Sequence, residues 1–418
     1  GVSYFLPLKT SIWNFDRNRI LVLSACVVLS AAAAFSLFRT IGKTGDAYQV
    51  HDFGAYYRAA SHVIRGETPY VIDEHGPTAS FVYAPAFAYF LAPLSYLDYT
   101  WASRLWMIGN WTLFLTCVYL AMRLVAPEEG NNWKVLWMGT LPVAGYFWIN
   151  ISSGQVGALM TALCLGWTVC QRQGRPFVGG ILLALATALK LAPALLAPYL
   201  IVRRDWRGLA GFLAGGLALI LVPAPWTGLD KAAQLHLEWG RHCQETQIAD
   251  QTSRIENQSF LGAFARLPGI DLPRLQQVYP LILLGLAGTC YGWICWSRKR
   301  ERVAENEQSS DNLQLASLLI LMTLAHPRAW TCNFVSLTLP CFILADRICR
   351  RLPGWKVALG AWVLLILVRI SPKCPIGESS WIGWIHQGKD FWAALAVAAA
   401  CCWSGDPKQR LVSHSRDL

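Results

Sequence analysis

The residue best placed for acid–base chemistry is Asp52. It stands in His51-Asp52-Phe53-Gly54-Ala55-Tyr56-Tyr57-Arg58-Ala59-Ala60, a polar and aromatic stretch that runs on through Gly66 to Pro69-Tyr70. A carboxylate at a membrane edge is partly desolvated, which raises its pKa and makes it a better base; a solvated loop aspartate is the plain alternative. Lys190 interrupts an apolar hairpin made of residues 177–189 and 191–202. An ionisable group there is costly and functional by default, unless its ammonium only snorkels to the interface. His326 and Arg328 fall together in Ala325-His326-Pro327-Arg328-Ala329-Trp330. Arginine offers a bidentate grip on anionic oxygens, so Arg328 and, more weakly, Arg58 are anion ligands or else interfacial anchors. His326 can contact an anion, polarise Asp52, or sit satisfied at the interface. The amides of Gln155, Asn257 and Gln258 can bond hydroxyl groups, with ordinary loop structure as the other reading. Glu238 and Glu245 can share a helix face and read as solvated.

The elements that must position these residues are membrane spans. The chain has 418 residues, 54% of them hydrophobic, and a mean hydropathy of +0.35. Its repeated apolar runs of membrane-spanning length exclude a soluble chain with one core. The 20 tryptophans gather near the ends of those runs, as interfacial aromatics do. The net charge of +11 is spread in short clusters between apolar runs. Those clusters read as topology determinants, and no basic face carries a nucleic-acid motif. Most of the 13 cysteines lie inside apolar runs, where they act as small hydrophobes. No Cys-x-x-Cys or Cys/His spacing suggests zinc. Cys243 and Cys374 lie in polar loops and either pair or remain two free thiols.

Basic residues fix the orientation. Lys9, Arg17 and Arg19 precede the first apolar run, 20–38, which reads as a retained span and puts the N-terminus in the cytoplasm. Further clusters at Arg172/Arg175, Arg203-Arg204, Arg298-Lys299-Arg300 and Arg347/Arg350/Arg351 fall at alternate turns. The pattern predicts about twelve spans with both termini inside and the long polar loops, 39–100 and 226–278, outside. Asp52, Lys190, the Asn257 loop and His326 then share one external face. In the first loop, Phe53, Tyr56, Tyr57, Ala60 and Ile64 recur at helical spacing, which suggests a helix lying against lipid headgroups or an ordinary connector. Pro85 and Pro93 break the apolar segment that follows into shorter pieces.

Asp52-Phe53, Tyr56-Tyr57, Ala59-Ala60, Gly66 and Pro69-Tyr70 resemble the first-loop motif of glycosyltransferase family 87. These are polyprenol-phosphate-sugar-dependent membrane transferases of the GT-C superfamily. Tyr83-Ala84-Pro85 with Pro93-Leu94, Gly154-Gln155, Lys190 with Pro193, Asn257-Gln258-Ser259, and Pro327 with Trp330 resemble the family's later blocks, in order. One departure stands out: where the family is expected to carry an acid or histidine just after the tryptophan, this chain has Thr331-Cys332-Asn333.

The resemblance implies an all-α, polytopic transmembrane helix bundle with helical extracytoplasmic loops, forming a single integral membrane domain. It implies a hexose, most simply mannose, moved with inversion from a polyprenyl-phosphate donor to a lipid or glycan acceptor at the outer face of a bacterial plasma membrane. Asp52 would be the general base, with His326 as a candidate second catalytic group. Lys190, Arg328 and Arg58 would hold the donor phosphate, and Tyr56, Tyr57, Gln155, Asn257 and Gln258 would line the substrate site. Membrane lipids are the other expected partners; no nucleic acid, cofactor or obligatory metal is expected. The rival readings are a transporter or lipid-linked-sugar flippase, which would place ionisable residues mid-span, and an inert scaffold.

Overall fold

The computed structural model describes residues 51–71, 81–125, 132–245, 252–267, 269–301, 307–370 and 388–403. The expected first span at 20–38 and Cys374 lie outside the described residues, as does the side chain of Glu245. The described chain is an all-α membrane helix bundle. An isolated antiparallel bridge between Asn257 and Trp330 is its one extended pairing among the described residues.

The first loop folds into α1 (His51–Ile64) and α2 (Pro85–Leu91), followed by a 3-10 turn over Ala92–Tyr96. Pro85 and Pro93 each sit in the opening turn of their piece, where a missing N–H costs nothing. The sequence offers the apolar face of α1 to lipid, but protein covers it. Phe53, Tyr56, Ala59, Ala60 and Val63 are buried, with Trp106 stacked on Phe53 and Tyr83 edge-on to Tyr56. Only Ile64, at 40% exposure, stays outside that contact.

Two long helices, α3 (Tyr99–Val125) and α4 (Asn132–Ser152), are followed by α5 (Gly157–Arg172) and α6 (Pro176–Leu189). A 3-10 turn over Ala192–Leu196 leads into α7 (Ala197–Val202) and then α8 (Trp206–Leu221). Asp205 caps α8, accepting from the Gly208 N–H at 2.9 Å. Helices α6 and α8 pack backbone to backbone. A Cβ on Gly180 would lie 2.0 Å from the Gly208 carbonyl oxygen, and one on Gly211 would lie 2.0 Å from that of Phe177.

The second loop carries α9 (Ala224–Thr227), α10 (Leu229–Glu245) and α11 (Phe260–Ala265). After it come α12 (Leu272–Glu301) and α13 (Glu307–Ala325). A 3-10 segment over Thr331–Leu337 runs into α14 (Thr338–Cys349), and α15 (Trp355–Ile370) and α16 (Lys389–Trp403) complete the bundle. Among the described residues, four helical stretches are long and apolar enough to cross a membrane, and four shorter apolar ones accompany them. The stretch 331–349 is the core, with 89% of its apolar window buried, whereas 272–297 is peripheral at 11%.

Polar links mark the two ends of the bundle. At one end the Arg203 guanidinium pairs with both carboxylate oxygens of Asp311, and Arg172 bonds Asn312 and, at 2.7 Å, the Leu124 carbonyl. Buried charges need this degree of pairing to be tolerated. The other end holds the residues that the sequence singles out.

Candidate active site

The site is built where four chain segments end together. Asp52 lies in the first turn of α1, and its backbone N–H, one of the helix's orphan donors, reaches the Ser153 carbonyl at 3.2 Å. That bond seats the start of α1 on the end of α4. The turn between α4 and α5 passes through Gly154 at φ 68°, a left-handed conformation that glycine adopts without strain. The Gly154 carbonyl accepts from the Trp106 indole at 2.8 Å. Asn150, fully buried, joins the same turn to the core segment. Its amide donates to the Cys332 carbonyl at 3.3 Å and accepts from the Ala158 N–H at 3.3 Å.

Lys190 caps the end of α6 in an extended conformation, because Pro193 forces a new helical start just beyond it. Its ammonium donates to the Asn333 amide oxygen at 2.7 Å. Burial weakens its hold on the proton, and the negative ends of Cys332 and Asp52 oppose that effect. Asp52 likewise acts on the phenols of Tyr56 and Tyr83. Asp52 and Lys190 therefore lie at the same end of the bundle: α1 is seated on the α4–α5 turn, Asn150 joins that turn to Cys332, and the adjacent Asn333 holds Lys190.

Around Asp52 stands an aromatic wall. Tyr56, one helical turn on, shares a 2.7 Å hydroxyl contact with Tyr83, and Tyr70 donates to the Tyr83 carbonyl at 2.9 Å. Burial, then Tyr83 and Asp52, push the Tyr56 phenol well above its ordinary pKa, so it stays protonated and neutral beside Tyr83. Tyr57 is committed elsewhere, donating to the Leu97 carbonyl at 2.7 Å and packing edge-on against Tyr99. Arg58 is half-buried and stands well round α1 from Asp52, since six residues advance a helix by far more than one turn.

His326 and Arg328 occupy the loop between α13 and the 3-10 segment. The Arg328 N–H donates to His326 Nδ1 at 3.0 Å, which fixes the imidazole proton on Nε2. Burial, helped by the charges of Lys190 and Arg328, pulls the His326 pKa down to about 3. His326 is thus a neutral ring with its proton on Nε2, and burial with the charges of Lys190 and Arg328 opposes its taking up a second one. Burial also lowers the Arg328 pKa, and its guanidinium remains charged.

Asn257 has a different job from the one its type suggests. At 0% exposure it gives both amide hydrogens to backbone, to Thr252 at 3.1 Å and Pro327 at 2.9 Å. Its oxygen accepts from the N–H groups of Ala329 at 3.1 Å and Ser259 at 3.3 Å. That uses every bonding position of an amide, so nothing is left for a sugar hydroxyl. Gln258 is also buried: it donates to the Ile255 carbonyl and accepts from the Phe391 N–H at 3.3 Å. Together with the Gln258 N–H bond to Ala329 at 2.8 Å, these residues clasp the loop that carries His326 and Arg328. Gln155 is buried in the turn after α4, its N–H bonded to the Asn150 carbonyl at 2.9 Å.

Glu238 is half-buried and accepts from the Thr68 hydroxyl at 2.7 Å. That bond, with Trp239 to the Val82 carbonyl at 3.1 Å, lays α10 across the first loop. Cys243, on the same helix, faces Val82 and lies near Arg328. Sequence reasoning missed Asp390. It is buried on α16 and accepts from the hydroxyls of Tyr146 at 2.9 Å and Thr331 at 3.2 Å. Among the described residues, no three His, Cys, Asp or Glu side chains gather at metal-ligand spacing.

Known proteins share much of this chain. The family model described as glycosyltransferase family 87 matches residues 81–327, more than half of the sequence. That stretch includes Lys190, Asn257 and His326, while Asp52 precedes it and Arg328 follows it. A polyprenol-phosphate-mannose-dependent alpha-(1-2)-phosphatidylinositol pentamannoside mannosyltransferase of Mycobacterium tuberculosis (strain CDC 1551 / Oshkosh) is 26% identical over 304 residues, 69% of this chain and 64% of its own length. A polyprenol-phosphate-mannose-dependent alpha-(1-2)-phosphatidylinositol mannoside mannosyltransferase of Mycolicibacterium smegmatis is 25% identical over 298 residues, 70% of this chain. The chain spans 64% and 66% of the lengths of these two relatives. An alpha-(1->3)-arabinofuranosyltransferase of Mycobacterium tuberculosis is 27% identical over 204 residues, 46% of this chain and 44% of its own length.

Proposed function

The chain belongs to glycosyltransferase family 87, and we propose that it transfers a hexose, mannose in the first instance, from a polyprenyl-phosphate donor to a hydroxyl of a lipid or glycan acceptor. The transfer takes place at the extracytoplasmic face of a bacterial plasma membrane. The observation that carries this reading is the chain of bonds that sets the Asp52 end of α1, through the α4–α5 turn and Cys332, beside the Lys190–Asn333 pair and the loop of His326 and Arg328. The site thus offers one acid and a group of cations at one end of the bundle. A transporter path through mid-span charges finds no such support there.

In the proposed step the acceptor oxygen bonds to C1 of the sugar from the face opposite the phosphate, so the configuration inverts. The C1–O bond to phosphate breaks, and its electron pair leaves on the phosphate oxygen of the polyprenyl phosphate. Asp52 takes the acceptor's hydroxyl proton as general base. The leaving phosphate gains a negative charge, and Lys190 and Arg328 stabilise it where that charge develops. His326 adds an Nε2–H donor. Tyr56 and its neighbours shield Asp52 from water and stiffen α1 beneath it.

The purified full chain, given radiolabelled polyprenyl-phosphate mannose and a phosphatidylinositol mannoside acceptor, should form labelled glycolipid and free polyprenyl phosphate in equal amounts. Labelled product from a polyprenyl-phosphate arabinofuranose donor instead would reassign the sugar. No product from either donor, with a folded protein, would remove the transferase reading.

A further inference from the structure

We propose that Asn333 is a positioning residue for the cationic half of the site, and that its lack of charge is what suits it to that role. The inference rests on the reading of Lys190 and Arg328 as phosphate ligands. Asn333 is the third residue of the core 3-10 segment and is 4% exposed. Its amide oxygen accepts from Lys190 Nζ at 2.7 Å, and its amide nitrogen donates to the Arg328 carbonyl at 3.2 Å. Its backbone is fixed at both ends, the N–H on the Trp330 carbonyl at 2.8 Å and the carbonyl on the Ser336 hydroxyl at 3.1 Å. The Ser336 hydroxyl also meets that of Thr323. One side chain therefore sets the direction of the Lys190 ammonium and holds the backbone turn at Arg328.

The two bonds demand an amide. An ammonium only donates and a carbonyl only accepts, so the bridging group must carry an acceptor at one end and a donor at the other. A carboxylate could bond Lys190 but would set a second acceptor against the Arg328 carbonyl. It would also neutralise Lys190 at contact distance. Among the described residues Asn333 is the hydrogen-bond acceptor of Lys190, and being neutral it takes up one of the three N–H groups without offsetting the ammonium's charge. The departing phosphate needs that charge most, because it goes from a diester monoanion in the donor to a monoester approaching a dianion in the product.

The test is equilibrium binding of two probes to the full chain in detergent: polyprenyl monophosphate and intact polyprenyl-phosphate mannose. Asn333→Asp should weaken the monoester about tenfold and the diester about threefold, because the electrostatic penalty scales with ligand charge. Asn333→Ala, which loses the bridge without adding charge, should weaken both by about threefold. A defect of packing alone would lower the two affinities of Asn333→Asp equally, and that result, or affinities unchanged from wild type, overturns the proposal. If Asn333→Asp does not fold, Asn333→Ser decides: it should weaken both probes about threefold in the otherwise wild-type chain and by clearly less beside Lys190→Met, and an equal loss in the two backgrounds, or no loss in either, would overturn the proposal. Wild-type protein that binds neither probe would instead overturn the transferase reading beneath it.

Discussion

The ammonium of Lys190 and the amide oxygen of Asn333 lie 2.7 Å apart across 143 residues of sequence. This bond ties the break between two short apolar helices to the most buried segment of the bundle. It helps explain why a lysine is tolerated there: the side chain is half-buried and its head is bonded to a buried amide oxygen.

Removing that charge should damage transfer without unfolding the protein. Lys190→Met is expected to lower kcat/KM about 10- to 100-fold, the worth of a charge-assisted bond to phosphate. Lys190→Arg should recover part of the loss. Steady-state kinetics, with thermal unfolding as the folding control, check this; a Lys190→Met enzyme of wild-type efficiency would detach Lys190 from the phosphate.

His326 should not set the pH dependence of the reaction in the neutral range. Its pKa is held near 3, against an ordinary 6.5, by burial and the neighbouring cations. The folded protein therefore keeps the ring neutral where the unfolded chain would protonate it. Stability should consequently fall as the pH drops from about 6.5 toward about 3, and should show no His326 contribution above that window. His326→Gln should remove the acid sensitivity of unfolding while retaining a side-chain N–H donor. A wild-type rate profile with a limb near 6.5 that disappears in His326→Gln would contradict this assignment.

Asn257 should behave as a structural clasp. Asn257→Ala strands the buried Ala329 N–H and the Thr252 carbonyl and leaves the Pro327 carbonyl to the Ser259 hydroxyl alone. Each unsatisfied group costs about 1–3 kcal/mol, so the melting temperature should fall and hydrogen exchange across 326–330 should quicken. A sugar ligand would give the opposite pattern, with donor KM raised and stability intact.

The close approach of α6 and α8 should tolerate no side chain at Gly211. A Cβ there meets the Phe177 carbonyl at 2.0 Å, and backbone cannot rotate away as a side chain can. Gly211→Ala should destabilise by about 1–3 kcal/mol or more, seen as earlier thermal aggregation. Gly216, with open space around its Cβ position, is the control and should accept alanine.

Much of this architecture can be read from the chain itself. Apolar runs locate the helices, Pro85, Pro93 and Pro193 locate their breaks, and alternating basic clusters gather Asp52, Lys190 and His326 at one end. Lys190 is conspicuous because it is a charge between two apolar runs, and Asp52 because its polar, aromatic stretch stands out from the apolar runs around it. Amide type, in contrast, does not reveal purpose. Asn257 looks like a sugar ligand until its four bonds to backbone and loop are seen, and Asn333 looks like a mere departure from the family's pattern. Glu238 reads as solvated because its partner Thr68 is 170 positions away. Helical spacing gives α1 an apolar face, but spacing does not distinguish lipid from Trp106 and Tyr83 as its cover. Asp390 gives no signal, since neither Tyr146 nor Thr331 is near it in sequence.

The most direct test of the whole account is Asp52→Asn in the polyprenyl-phosphate mannose transfer assay. The substitution keeps size and hydrogen bonding but removes the proton acceptor. Turnover should fall by about 10²- to 10⁴-fold, the usual contribution of a general base, with expression, melting temperature and donor binding close to wild type. Turnover within about tenfold of wild type would show that another group takes the proton and would contradict the central claim.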